Sequence, residues 1–92
     1  MQCDIKIDFF IEIRDIIMLS DKIARLIPFD VLISKNDDTR TCLAKSIIGF
    51  LSLHISKDDI AHVNIVGGSE RDIGIIKDLF NEIKINYKGR II

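Results

Sequence analysis

The chain has 92 residues, 48% of them hydrophobic and 29% charged, with a formal net charge of -1. That length holds one domain with one core; the apolar content excludes a disordered tail, and the near-neutral balance argues against a dedicated nucleic-acid binder, which carries a basic excess. No apolar run reaches the ~18 residues that span a bilayer, and Asp4, Lys6 and Asp8 interrupt the N-terminus where the apolar stretch of a signal peptide would lie. Cys3 and Cys42 are too few for a disulfide framework and lack metal-ligand spacing. Two structural thiols in a reducing cytoplasm are expected, with no cofactor and no membrane insertion.

The first segment alternates. Cys3, Ile5, Ile7 and Phe9 face one way and Asp4, Lys6 and Asp8 the other, the period of a strand with one wet face. From Ile13 the period becomes helical, with Ile16, Leu19, Ile23 and Leu26 on one side and Asp21, Lys22 and Arg25 opposite. Pro28 stops this helix, because the residue before a proline is pushed out of the α region. Val31 to Ser34 reads as a second strand, Lys35-Asn36-Asp37-Asp38 as a turn, and Thr39 to Ala44 as a weakly patterned third strand.

Ser46 is a good N-cap for a short helix from Ile47 to about Leu53, since its hydroxyl can satisfy an orphan backbone N–H. After a charged turn at Lys57-Asp58-Asp59, Ala61, Val63 and Ile65 alternate with His62 and Asn64 as a fourth strand whose His62 faces solvent. Gly67-Gly68 breaks it, and Ser69 with Asp72 resembles a capping box in which Asp replaces Glu or Gln. The last helix puts Ile73, Ile76, Phe80 and Ile83 on one face. The order βαββαβα predicts an α/β (α+β) domain, with helices on one side of a mostly antiparallel sheet. That domain covers residues 1–85, and a tail over 86–92 mixes Lys88 and Arg90 with Tyr87, Ile91 and Ile92.

The run Lys45-Ser46-Ile47-Ile48-Gly49-Phe50-Leu51-Ser52-Leu53 resembles the regulatory segment of HPr, the phosphocarrier of the bacterial sugar phosphotransferase system. The likeness continues through Ile55-Ser56-Lys57, the Ala61-Val63-Ile65 strand, Gly67 and the Glu70-x-Asp72 helix start. It implies an open-faced sandwich of three helices on a four-stranded sheet of order 1-4-2-3. The family's phosphorylated histidine opens the first helix in a Gly-Ile-His-x-Arg-Pro segment, and here Phe10-Ile11-Glu12-Ile13-Arg14-Asp15 stands in its place. Arg14 then matches the arginine and Glu12 the histidine; a shifted register brings Asp15 there instead, and no register brings a histidine.

The resemblance therefore implies a regulatory protein close in character to the histidine-lacking Crh type, which acts by binding partners and not as an enzyme. Ser46 corresponds to the serine that a dedicated kinase phosphorylates in Gram-positive members, whose product binds a transcriptional repressor in catabolite control. Phosphate on an N-cap serine meets free N–H groups and a positive helix end; the plain alternative is that Ser46 only caps. The expected partner surface is Glu12, Arg14, Asp15, Ile47, Ile48 and Leu51, with one of the three apolar residues turned to the core. Partners would be proteins: a serine kinase, a transcriptional regulator or components of the phosphotransferase system. A competing reading is an active phosphoryl-transfer component with Glu12 as acceptor, and a third is a structural or oligomerising module. His54 and His62 are isolated, so no metal site is expected. The first strand's free edge allows pairing or strand exchange into a homodimer.

Overall fold

The computed structural model describes residues 1–91, with side chains as far as Asn86. In chain order the elements are β1 (Gln2–Lys6), α1 (Ile13–Leu26), β2 (Val31–Lys35), β3 (Cys42–Leu43), α2 (Ile47–Ser52), β4 (Ile60–Ile65) and α3 (Glu70–Ile91). The strands form one antiparallel sheet of order β1-β4-β2-β3, the order that the HPr resemblance implies. The last strand in sequence thus lies between β1 and β2, pairing Val63 with Cys3 on one side and with Ile33 on the other. Cys3 and Cys42 lie on opposite edge strands and are free thiols.

One face of the sheet is covered. Val31 and Ile33 of β2 and Ala61, Val63 and Ile65 of β4 are buried there, against Ile16, Leu19 and Ile23 of α1 and Ile73, Ile76, Phe80 and Ile83 of α3. Ile7 and Phe9 continue the inward face past the end of β1. Ion pairs of Lys22 with Glu82 (3.1 Å) and Lys84 with Asp8 (2.9 Å) rim this core. No helix among the described residues is long and apolar enough to cross a membrane.

The residues around β4's exit explain its sharp end. Gly67 takes a left-handed φ of 77°, which glycine adopts at little cost, and a β-carbon on Gly68 would collide with Ile65. The Asp72 carboxylate then accepts from the Ser69 N–H at 2.9 Å and from its hydroxyl at 3.2 Å, doing the work of the longer acid in a capping box.

Three sequence expectations change. The third strand is two residues long, not Thr39 to Ala44, because Asp38 takes the Arg40 N–H at 2.9 Å and its guanidinium at 3.1 Å. That local bonding occupies the segment that would otherwise pair with β2. Leu26, expected on the core face, is 52% exposed; the chain leaves the helix at Ile27 (φ -117°, ψ 114°), ahead of Pro28, and Ile27 is buried instead. Residues 86–91, expected as a tail, continue α3, while the side chains of Tyr87, Lys88, Arg90, Ile91 and Ile92 lie outside the described residues.

In urea unfolding, Leu19→Ala should lose about 2–5 kcal/mol, since Leu19 is fully buried. Leu26→Ala should change stability by less than about 0.5 kcal/mol. Equal losses would refute the placement of the helix end.

Candidate functional site

Ser46 caps α2 as its sequence position suggests. It is exposed, sits in extended backbone (φ -89°, ψ 112°), and its hydroxyl oxygen accepts the Gly49 N–H at 3.2 Å while its carbonyl accepts the Phe50 N–H at 2.8 Å. A β-carbon at Gly49 would lie 3.3 Å from the Ser46 oxygen and 3.5 Å from Cys42 Cβ, a close fit in which the hydroxyl would have to give by a few tenths of an ångström. The Ser52 hydroxyl donates to the Gly49 carbonyl at 2.6 Å and ties off the same turn. Phe50 and Leu53 are fully buried and anchor the helix.

The apolar residues beside the serine divide as helical spacing requires. Ile48 is 83% exposed and Ile47 41%, while Leu51 is half-buried and packs on the core. Leu51 is therefore the core-facing member of the three expected partner residues.

At the start of α1, Glu12 is the N-cap, and the Asp15 carboxylate accepts its backbone N–H at 2.8 Å. Asp15 is 5% exposed. Its expected place on the partner surface is corrected: the side chain turns inward to satisfy the helix end and offers no surface for docking. Arg14 pairs with Glu12 through Nε at 2.7 Å, both side chains well exposed. Such a pair in solvent contributes about 0–1 kcal/mol but partly neutralises the carboxylate. Ile13 is 69% exposed, and Phe10 is exposed with the Lys57 ammonium 4.7 Å from its ring centre.

α1 and α2 pack together, leaving a cleft of about 220 Å³ lined by Glu12, Ile13, Phe50, Leu51 and His54 among others. The fold thus gathers Glu12 and Leu51, whereas Ser46 is not among the cleft's lining residues. The sequence shows His54 as isolated, and its place in the same cleft as Glu12 is created by packing alone. The one local sign is its left-handed φ of 51°, where histidine is among the better-tolerated residues. His54 and His62 come from separate loops and strands, and no group of three or more metal-ligating side chains occurs among the described residues.

Solved HPr structures share this fold. Among them are the HPr-C-His protein of Thermoanaerobacter tengcongensis (20% identity, 88% of this chain and 91% of that one, TM-score 0.73) and the phosphocarrier protein HPr of Bacillus anthracis (23% identity, 86% and 94%, TM-score 0.73). A third is the histidine-containing phosphocarrier protein of Mycoplasma (15% identity, 90% and 94%, TM-score 0.74). No family model and no curated protein matches the sequence. At these identities the likeness defines the architecture, and the chemistry has to be argued from this chain's own side chains.

Ser46→Ala should lose about 1 kcal/mol in chemical denaturation, and Ser46→Asp should lose less because aspartate also caps. No loss on Ser46→Ala would show that the hydroxyl contributes nothing to α2.

Proposed function

We propose that this chain is a regulatory, protein-binding relative of the phosphotransferase-system carriers that does not relay phosphoryl groups, and that phosphorylation of Ser46 controls its docking. The observation that carries this reading is the pairing of an exposed N-cap hydroxyl with the exposed Ile47 and Ile48 beside it. Contiguous apolar surface next to a modifiable group suits a contact that is switched by charge. The docking surface comprises Ser46, Ile47 and Ile48, extended towards Glu12 and Arg14 by the cleft that Leu51 and Glu12 line. Its partners are proteins: a serine kinase and a transcriptional regulator of carbon catabolite control.

Two features argue against a carrier. The residues that open α1 are Glu12, Ile13 and Arg14, with no histidine among them. A carboxylate acceptor would form an acyl phosphate, yet Glu12 is already paired with Arg14 and Asp15 sits next to it, so incoming phosphoryl oxygens would meet like charge. Incubation with the general phosphotransferase enzyme and labelled phosphoenolpyruvate should leave the chain unlabelled. Label lost in Glu12→Gln would establish the phosphoryl-transfer alternative.

Chain carrying phosphoserine at position 46 should bind a catabolite-control repressor at least about tenfold more tightly than unmodified chain, a difference of about 1.4 kcal/mol. Ile48→Ser should abolish that gain with little change in stability. Equal binding by both forms would leave Ser46 as a cap only. The edge position of β1 also supports self-association by edge pairing; sedimentation showing only monomer at high concentration would remove that part of the proposal.

A further inference from the structure

We propose that His62 is a doubly protonated latch on the uncovered face of the sheet, tying edge strand β1 and the β2–β3 turn to central strand β4 and giving up one of these two ties when it loses a proton. His62 stands in β4 opposite Asp4 of β1 on one side and Ser34 of β2 on the other. Its Nδ1 lies 2.6 Å from Asp4 Oδ1, and its Nε2 lies 2.9 Å from the main-chain oxygen of Asn36. A carboxylate and a peptide carbonyl only accept hydrogen bonds, so each ring nitrogen has to bring its own hydrogen. Only the imidazolium carries both. The neutral ring keeps one contact and sets a lone pair against an oxygen at the other.

The surrounding charges act in the same direction. Asp4 and Lys6 come from β1, Ser34 from β2 and Asp37 from the turn, while the helices lie on the opposite face. Lys6 is turned aside, its Nζ donating to the main-chain oxygen of Asp58 at 2.8 Å. The hydrogen bond that His62 donates to Asp4, against some desolvation and with help from the Asn36 carbonyl and Asp37, holds His62 above the ordinary value of 6.5. The bond reaches a well-fixed turn: Asn36 has a left-handed φ of 50°, which asparagine tolerates, and its side chain accepts the Ile60 N–H at 2.8 Å and donates to Asp59 at 2.8 Å. The latch therefore closes a turn that already crosses between β2 and β4.

A raised histidine value stabilises the fold fully below the unfolded-state value and less as pH rises through the folded-state value. The latch is closed in mildly acidic solution and opens as pH rises through a midpoint raised from the ordinary histidine value.

The test uses the full chain with His54→Asn, so that a single imidazole reports, and long-range ¹H–¹⁵N spectra of its ring nitrogens. Both nitrogens should be protonated at about pH 6, with a midpoint above 6.5 that Asp4→Asn lowers. The unfolding equilibrium constant should rise about tenfold for each unit by which the midpoint exceeds the unfolded-state value. Amide protection of residues 2–6 and 36–41, corrected for intrinsic exchange, should fall in His62→Gln. Should that variant not fold, loss of protection at one of the two segments is read in the parent as pH passes the midpoint. A bare ring nitrogen at about pH 6, a midpoint at or below 6.5, or unchanged protection at those segments would overturn the proposal.

Discussion

A four-stranded sheet has room for two helices side by side on one face, and this fold has three helices to place. Strands spaced ~4.8 Å apart set the outer two about 14 Å from each other, and helices pack ~8–10 Å apart. α1 and α3 take the available width, with α3 lying on β1 and α1 against α3. α2 is left at the rim, against α1 and the two-residue β3. From there it can bury only one side. Phe50 and Leu53 enter the core as its anchors, and Ile47 and Ile48 stay outside as a consequence of sheet width. The exposed apolar surface beside Ser46 is thus built into the architecture, and a polar residue at either position would fold as well. Apolar side chains there call for an explanation outside the fold, and the proposed docking would supply one.

The position of α2 along the rim depends on the loop that follows it. Asp59 gathers that loop: its carboxylate accepts the Ser56 N–H at 2.9 Å and the Asn36 amide at 2.8 Å, with Lys35 at 3.6 Å. Lys35 also donates to the His54 carbonyl at 3.0 Å, which joins the end of α2 to β2. Burial pushes the Asp59 carboxyl up, but the hydrogen bonds and Lys35 outweigh it and hold the group below the ordinary aspartate range. A lowered carboxylate stabilises the fold above its unfolded-state value and loses that contribution as pH falls through the folded one. With His62 raised and Asp59 lowered, the two polar ties that meet at Asn36 weaken at opposite ends of the pH scale.

Much of this was legible in the sequence because period-two and helical patterns are local. Cys3 to Phe9, Val63 and Ile65, and the Ile73-Ile76-Phe80-Ile83 stripe all sit where their spacing puts them. Pro28 and Gly67 marked ends for reasons carried by the residues themselves. Two of the failures share one cause, a side chain choosing a backbone partner over its patterned place. Asp38 bonding Arg40 cut the third strand short, and Asp15 bonding the Glu12 N–H turned inward. A carboxylate in a first helical turn reads identically from sequence whether it caps or meets solvent. That His54 and Glu12 line one cleft could not be read at all, since the two belong to opposite halves of the chain and only the packing of α1 on α2 brings them together there.

The two helix starts near the proposed docking surface differ in how their positive ends are satisfied, and that difference favours Ser46 over Glu12 as the controlling residue. At α1 the chain supplies its own anions: Asp15 bonds the N-cap N–H, and Glu12 and Arg14 pair beside it. An outside phosphoryl group would have to displace Asp15 or approach Glu12 against its charge, and either move costs more than it returns. α2 has no acidic residue in its first turn, and a neutral hydroxyl holds the Gly49 N–H. Phosphate added there would meet a favourable helix end and no carboxylate within the turn, so the charge can be installed with little cost to the fold. Its effect is then felt mainly by whatever docks on Ile47 and Ile48, which is the property a switch on binding requires.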